Sequence, residues 1–197
     1  MGTIPDISPT TTLGHAAFLY QTPQQRVALL GKYYQEGLAN GELCIFVTPS
    51  KTADVLKEFE VLGYDFREAV AKDQLRIFEM EDTYLPRGEF VGKYMLANVV
   101  NYILAAKQQG YRGLRTAGEM SWIHKHLDYL PELIQYEADV NELPGDNPEF
   151  MGLCLYPVHD TFGEMLSNVL HTHESVIYDD EVRVHPRTLE LSSQDAV

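Results

Sequence analysis

The stretch His15–Leu30, HAAFLYQTPQQRVALL, decides how the chain folds. Its first six residues are apolar and strand-sized, and Pro23 suits the first turn of a helix. From there Val27, Leu30, Tyr34 and Leu38 recur at helical spacing. A strand thus runs directly into a helix. In many nucleotide-binding α/β proteins this junction is a glycine-rich loop ending in Lys and Ser or Thr, whose backbone N–H groups cradle phosphate. Here residues 21–26 read QTPQQR, with neither Gly nor Lys.

Outward from this junction the same alternation continues. The spacing predicts a helix over 23–39 closed by Gly41, then a strand in LCIFVT that is apolar on both faces, as in a parallel sheet covered by helices. Ser50 is a candidate cap for the helix in SKTADVLKEFEVLG, and DFREAVAKD adds a short helix. QLRIFEM is a third strand, and residues 89–109 form the longest helix, ended by Gly110. YRGLRTAGEM gives a fourth strand, LDYLPELIQYEADVNEL a helix, EFMGLCLYP a fifth strand and DTFGEMLSNVLHTH a last helix. The pair in SVIYDDEVRVH reads as an antiparallel edge hairpin turning at Asp179-Asp180. The expectation is a three-layer α/β/α domain around a mostly parallel sheet. It spans 13–189, between flexible tails at 1–12 and 190–197.

Composition narrows the function classes. At 197 residues the chain has length for one substantial core, and its net charge of −14 with scattered basic residues argues against nucleic-acid binding. The N-terminus lacks the basic and apolar regions of a signal peptide, and no apolar run approaches the ~20 residues of a membrane span. Cys44 and Cys154 sit inside apolar runs and read as buried, reduced thiols, which fits a cytoplasmic protein.

Ligands in open α/β sheets bind at the carboxyl ends of the strands. That rule selects Tyr20, Gln21 and Thr22, Thr48 and Ser50, then Glu119 through Trp122, and Tyr156 through His159. Tyr20 and Trp122 would form an aromatic wall, with Glu119 as its polar anchor. Arg115 and Glu119 lie four apart in one strand, so they share a face but stand ~13 Å apart and need separate partners. No nucleophile elbow is present, and the carboxylate pairs in FEMED and YDDE read as solvated turns, so no catalytic constellation is expected. The pairs His124/His126 and His171/His173 fall at helix ends, where an i, i+2 spacing diverges by ~200°, and the cysteines lack C-x-x-C spacing. No metal or other cofactor is expected.

Six segments carry a family resemblance. They are HAAFLY at 15–20, GLANGELCIFVT at 37–48, GYRGLRTAGEMSW at 110–122, YEADVNEL at 136–143, GLCLYP at 152–157 and HTHESVIYDDEV at 171–182. In this order they resemble the MEDS family, a sensory domain named for methanogens, methylotrophs and the regulator DcmR. That family is itself similar to RecA-like ATPases of the circadian-clock type, so the resemblance implies a RecA-like fold that has lost its phosphate loop. It implies a non-catalytic sensory module binding a small, hydrocarbon-derived ligand. Its output would pass to a signalling protein in trans, such as a kinase, anti-sigma factor or transcription regulator. By the same analogy a homo-oligomer is expected, and a ligand-free assembly module or a residual nucleotide- or metal-binding protein are the alternatives. His15 and His173 match recurrent family positions and are expected to support the fold. Glu137, in YEADVNEL, is the expected partner of Arg115, as a structural ion pair or a site anchor.

Overall fold

A computed structural model describes residues 14–161, 163–178 and 181–184. The expected tails at 1–12 and 190–197 and the turn at Asp179-Asp180 lie outside them. The chain runs β1 (His15–Tyr20), α1 (Pro23–Ala39), β2 (Leu43–Thr48), α2 (Thr52–Val61), α3 (Arg67–Ala71) and β3 (Leu75–Glu79). It continues through α4 (Met80–Thr83), α5 (Gly92–Gln108), β4 (Leu114–Glu119), α6 (Leu130–Asn141), α7 (Leu143–Asp146), β5 (Phe150–Pro157), α8 (Gly163–Thr172), β6 (Ser175–Tyr178) and β7 (Glu181–Val184).

The strands form one sheet in the order β3-β2-β4-β5-β1-β6-β7. All neighbours are parallel except β6 and β7. The expected antiparallel hairpin forms at the sheet edge: β7 pairs antiparallel with β6, and β6 joins β1 in parallel because α8 carries the chain back across the sheet.

Period-two alternation sorts the side chains into two cores. Ala16, Phe18 and Tyr20 face α1 and α2 with Leu30, Tyr34 and Phe59. Ala17 and Leu19 face α5, α6 and α8 with Ile103, Tyr136 and Val169. These two apolar layers make the three-layer α/β/α architecture.

Two local expectations change. Ser50 does not cap α2: Lys51 occupies that position without a side-chain bond, and the Ser50 amide instead donates to Thr48 Oγ1 at 3.2 Å. The long helix starts at Gly92 rather than 89, after a 3-10 turn at Pro86–Gly88, and so equals α1 at 17 residues.

Candidate functional site

The β1–α1 junction is closed by its own polar groups. Thr22 caps α1, its Oγ1 accepting from the Gln25 amide at 3.2 Å. Gln25 Oε1 accepts in return from the amides of Gln21 (2.9 Å) and Thr22 (3.1 Å), completing a capping box. The Arg26 amide donates to the Thr22 carbonyl, and Pro23 has no N–H. Five of residues 21–26 therefore have no backbone donor free for a phosphate, leaving Gln24.

The Arg26 guanidinium is engaged too. It is 8% exposed and donates to both Glu119 and Glu58. Glu119 Oε1 also accepts from Thr48 Oγ1 at 2.8 Å. Burial pushes the Glu119 carboxyl up, against the opposing pull of Arg26 and Thr48. Burial and the Glu119 charge push Tyr20 up to about 12. The structure thus brings Tyr20, Thr48 and Glu119 together around the Arg26 guanidinium. Gln21 stands at the rim, its Nε2 donating to Tyr178 Oη at 3.3 Å.

The other expected members lie elsewhere. Trp122 is buried in the opposite core, with ring centroids 5.6 Å from Tyr84 and 5.2 Å from Phe90. The aromatic wall of Tyr20 and Trp122 therefore does not form, because the 3-10 turn after β4 carries Trp122 to the α5/α6 side while Tyr20 points to α1. His159 is a largely exposed side chain 3.4 Å from Asp160, and Tyr156 is buried on the α6 side.

Arg115 does not pair with Glu137. Its Nε and Nη2 donate to Glu42 at 2.6 and 3.3 Å, and its Nη1 donates to the Tyr33 carbonyl at 2.9 Å. Odd positions of β4 face α1, whereas Glu137 projects from α6 across the sheet. Gly37 makes the burial feasible, since a Cβ there would stand 2.7 Å from Arg115 Nε.

Glu137 instead gathers a buried polar cluster. Its Oε1 accepts from Tyr156 Oη at 3.0 Å. Its Oε2 lies 3.1 Å from His15 Nε2, 3.4 Å from Cys154 Sγ and 3.6 Å from His173 Nε2. Burial would raise its pKa, yet the hydrogen bonds from His15 and Tyr156 hold it below the usual carboxylate range. Burial pushes the Cys154 thiol well up. His15 and His173, expected as fold supports, are thus neighbours with ring centroids 4.3 Å apart.

Beside this cluster lies a cavity of about 500 Å³ between the sheet and α5. Its floor is Thr116, Gly118, Gly152 and Cys154, its roof Met95, Val99 and Tyr102, and its end wall Tyr84, Tyr136 and His15. The two glycines make the room: a Cβ at 118 would stand 2.0 Å from Tyr84 Oη, and one at 152 would stand 3.3 Å from His15 Cδ2. Asp82, Asn98 and Asn101 are exposed at its mouth between α4 and α5. None of the strand-end residues Tyr20, Gln21, Thr48, Glu119, Trp122, Tyr156 and His159 lines it. The signal that could have found it is the small residues at alternate positions of adjacent strands.

Among the described residues no helix is long and apolar enough to cross a membrane. No curated protein matches the chain. Among solved structures it is similar to a KaiC-like protein from the hyperthermophilic archaeon Pyrococcus horikoshii. That likeness has a TM-score of 0.58 at 14% sequence identity, covers 89% of this chain and 79% of the other, and supports the fold alone. Residues 14–174 match the family described as the methanogen/methylotroph, DcmR sensory domain. The chain belongs to the MEDS family.

Proposed function

We propose that this domain is a non-catalytic sensor whose small, largely apolar ligand occupies the 500 Å³ cavity under α5 and regulates a signalling partner in trans. The observation that carries this reading is the cavity itself. Its volume falls in the range of small-molecule sites, it is lined mostly by apolar side chains, and Asp82, Asn98 and Asn101 offer polar groups at one end. Family membership supports a sensory role. The closed β1–α1 junction argues against nucleotide as the signal, since the Arg26 side chain and every backbone N–H of residues 21–26 except that of Gln24 already have partners.

The test is a thermal-shift screen of alcohols, amines, thiols, halocarbons and ATP with magnesium. A ligand that binds only the folded state raises the melting temperature, by ~2.7 kcal/mol of apparent stability at a hundredfold excess over Kd. Organic compounds should raise Tm, and Val99→Trp, which fills the cavity, should abolish the shift while the domain stays folded. No shift with any compound, or a shift that survives Val99→Trp, overturns the reading. A shift with ATP and magnesium lost in Arg26→Ala would replace it with nucleotide binding.

A further inference from the structure

We propose that His15, Glu137, Cys154 and His173 form a four-ligand site for a divalent transition-metal ion of the zinc class. The four residues come from β1, α6, β5 and the turn before β6, and all are buried. One donor atom from each lies within 4.8 Å of the others. Four ligands bound at 2.0–2.3 Å to a tetrahedral ion stand about 3.3–3.7 Å apart. Four of the six separations, 3.1, 3.4, 3.4 and 3.6 Å, lie close to that spacing, and the remaining two are within 4.8 Å.

His173 is the observation that points to a bound ion. Its Nδ1 lies 3.0 Å from the Val169 carbonyl, so Nδ1 carries the hydrogen and Nε2 carries a lone pair. That Nε2 is buried, makes no hydrogen bond, and faces the Glu137 carboxylate at 3.6 Å. A lone pair facing a carboxylate is repulsive, and a cation between the two converts both into ligands. A backbone carbonyl on the remote nitrogen is also the arrangement that fixes metal-binding histidines. Tyr156 engages Glu137 Oε1 and leaves Oε2 directed at the other three donors.

The donor set of two imidazoles, one thiolate and one carboxylate suits zinc and its substitute cobalt rather than calcium or magnesium. On binding, the Cys154 thiol proton passes to solvent, and His15 moves its proton from Nε2 to Nδ1. His15 and Cys154 also line the cavity, which gives the ion an entry path. This site stands whether or not a small organic ligand occupies the cavity.

The experiment is titration of the chelator-stripped full chain with Co²⁺, then with Zn²⁺. One Co²⁺ per chain is expected, with visible bands of a four-coordinate ion and a thiolate-to-cobalt charge-transfer band. That band should vanish in Cys154→Ser and persist in Cys44→Ser. His173→Gln should weaken binding at least tenfold. Zinc-edge X-ray absorption on the unaltered chain needs no variant, and should find one sulfur near 2.3 Å with nitrogen and oxygen near 2.0 Å. No stoichiometric metal, a shell of nitrogen and oxygen alone, or a charge-transfer band that follows Cys44 overturns the proposal.

Discussion

Replacing Arg115 tests the most heavily buried charge among the described residues. The side chain is 1% exposed, lies under α1 with its Cζ 4.7 Å from the Tyr33 ring centroid, and holds Glu42 through two N–H groups. Arg115→Leu removes the cation and leaves the Glu42 carboxylate without it. Breaking a buried pair from one side costs about 3–5 kcal/mol. The lower end applies here, because the Glu42 side chain is 17% exposed and can regain water. A loss of ~3 kcal/mol corresponds to a fall in Tm of about 6–12 °C for a chain of this size.

The mirror change, Glu42→Gln, leaves Arg115 with the Tyr33 carbonyl and Glu36, at 3.7 Å, and should cost a similar amount. The double variant removes both charges, so its loss should fall short of the sum by ~2 kcal/mol, the coupling expected of groups in direct contact. Urea unfolding followed by far-UV circular dichroism measures all three. As a control, Arg115→Leu and Glu137→Gln act on opposite faces and should add within about 0.5 kcal/mol. A loss below 1 kcal/mol for Arg115→Leu, or coupling to Glu137 rather than Glu42, would refute the assignment of partners.

Trp122 is 3% exposed, so its emission should be blue-shifted and resist iodide until the domain unfolds; ready quenching of the folded protein would place it at the surface instead. Burial raises the Cys44 thiol to about 12 and Cys154 well up, so the thiolate is scarce at pH 8 and both should react with disulfide reagents only on unfolding. Prompt labelling at pH 8 under native conditions counts against that burial. Thr22→Ala removes the cap of α1 and should cost ~1 kcal/mol in urea unfolding, with no loss meaning that the capping box contributes nothing.

The fold was legible because its signals are local. Each strand is a short apolar run, and each long helix announces itself by spacing and by a Pro or Gly at its end. Period two also placed Arg115 and Glu119 on one face correctly. Which helix covers that face is a property of the topology, and so Arg115 was matched to a carboxylate on the wrong side. The Glu137 cluster escaped for the same reason. Its members are scattered from residue 15 to residue 173, and they meet only because β1 lies beside β5 in a register that sets His15 against Gly152. The strand-end rule located Tyr20, Thr48 and Glu119 together, and there Thr48 and Arg26 already engage the Glu119 carboxylate.

That mutual satisfaction bears on where a signal would bind. At the strand ends a polar ligand must displace the bond of Arg26 to the buried Glu119, a charge-assisted contact worth ~1.5–3 kcal/mol, and its weaker, solvent-screened bond to the exposed Glu58. In the cavity no such contacts oppose entry, and burial of 150 Å² of apolar ligand surface contributes ~4 kcal/mol at 25 cal/mol per Å². The energetic difference favours the α5 face for the proposed ligand. It also gives the two small floor residues a specific role. Adding a methyl at Gly118 drives Tyr84 outward, and adding one at Gly152 presses on Phe150 and His15, so each change should alter ligand binding more than a substitution at Tyr20 or Gln21. Comparable effects at all four positions would return the ligand to the strand ends.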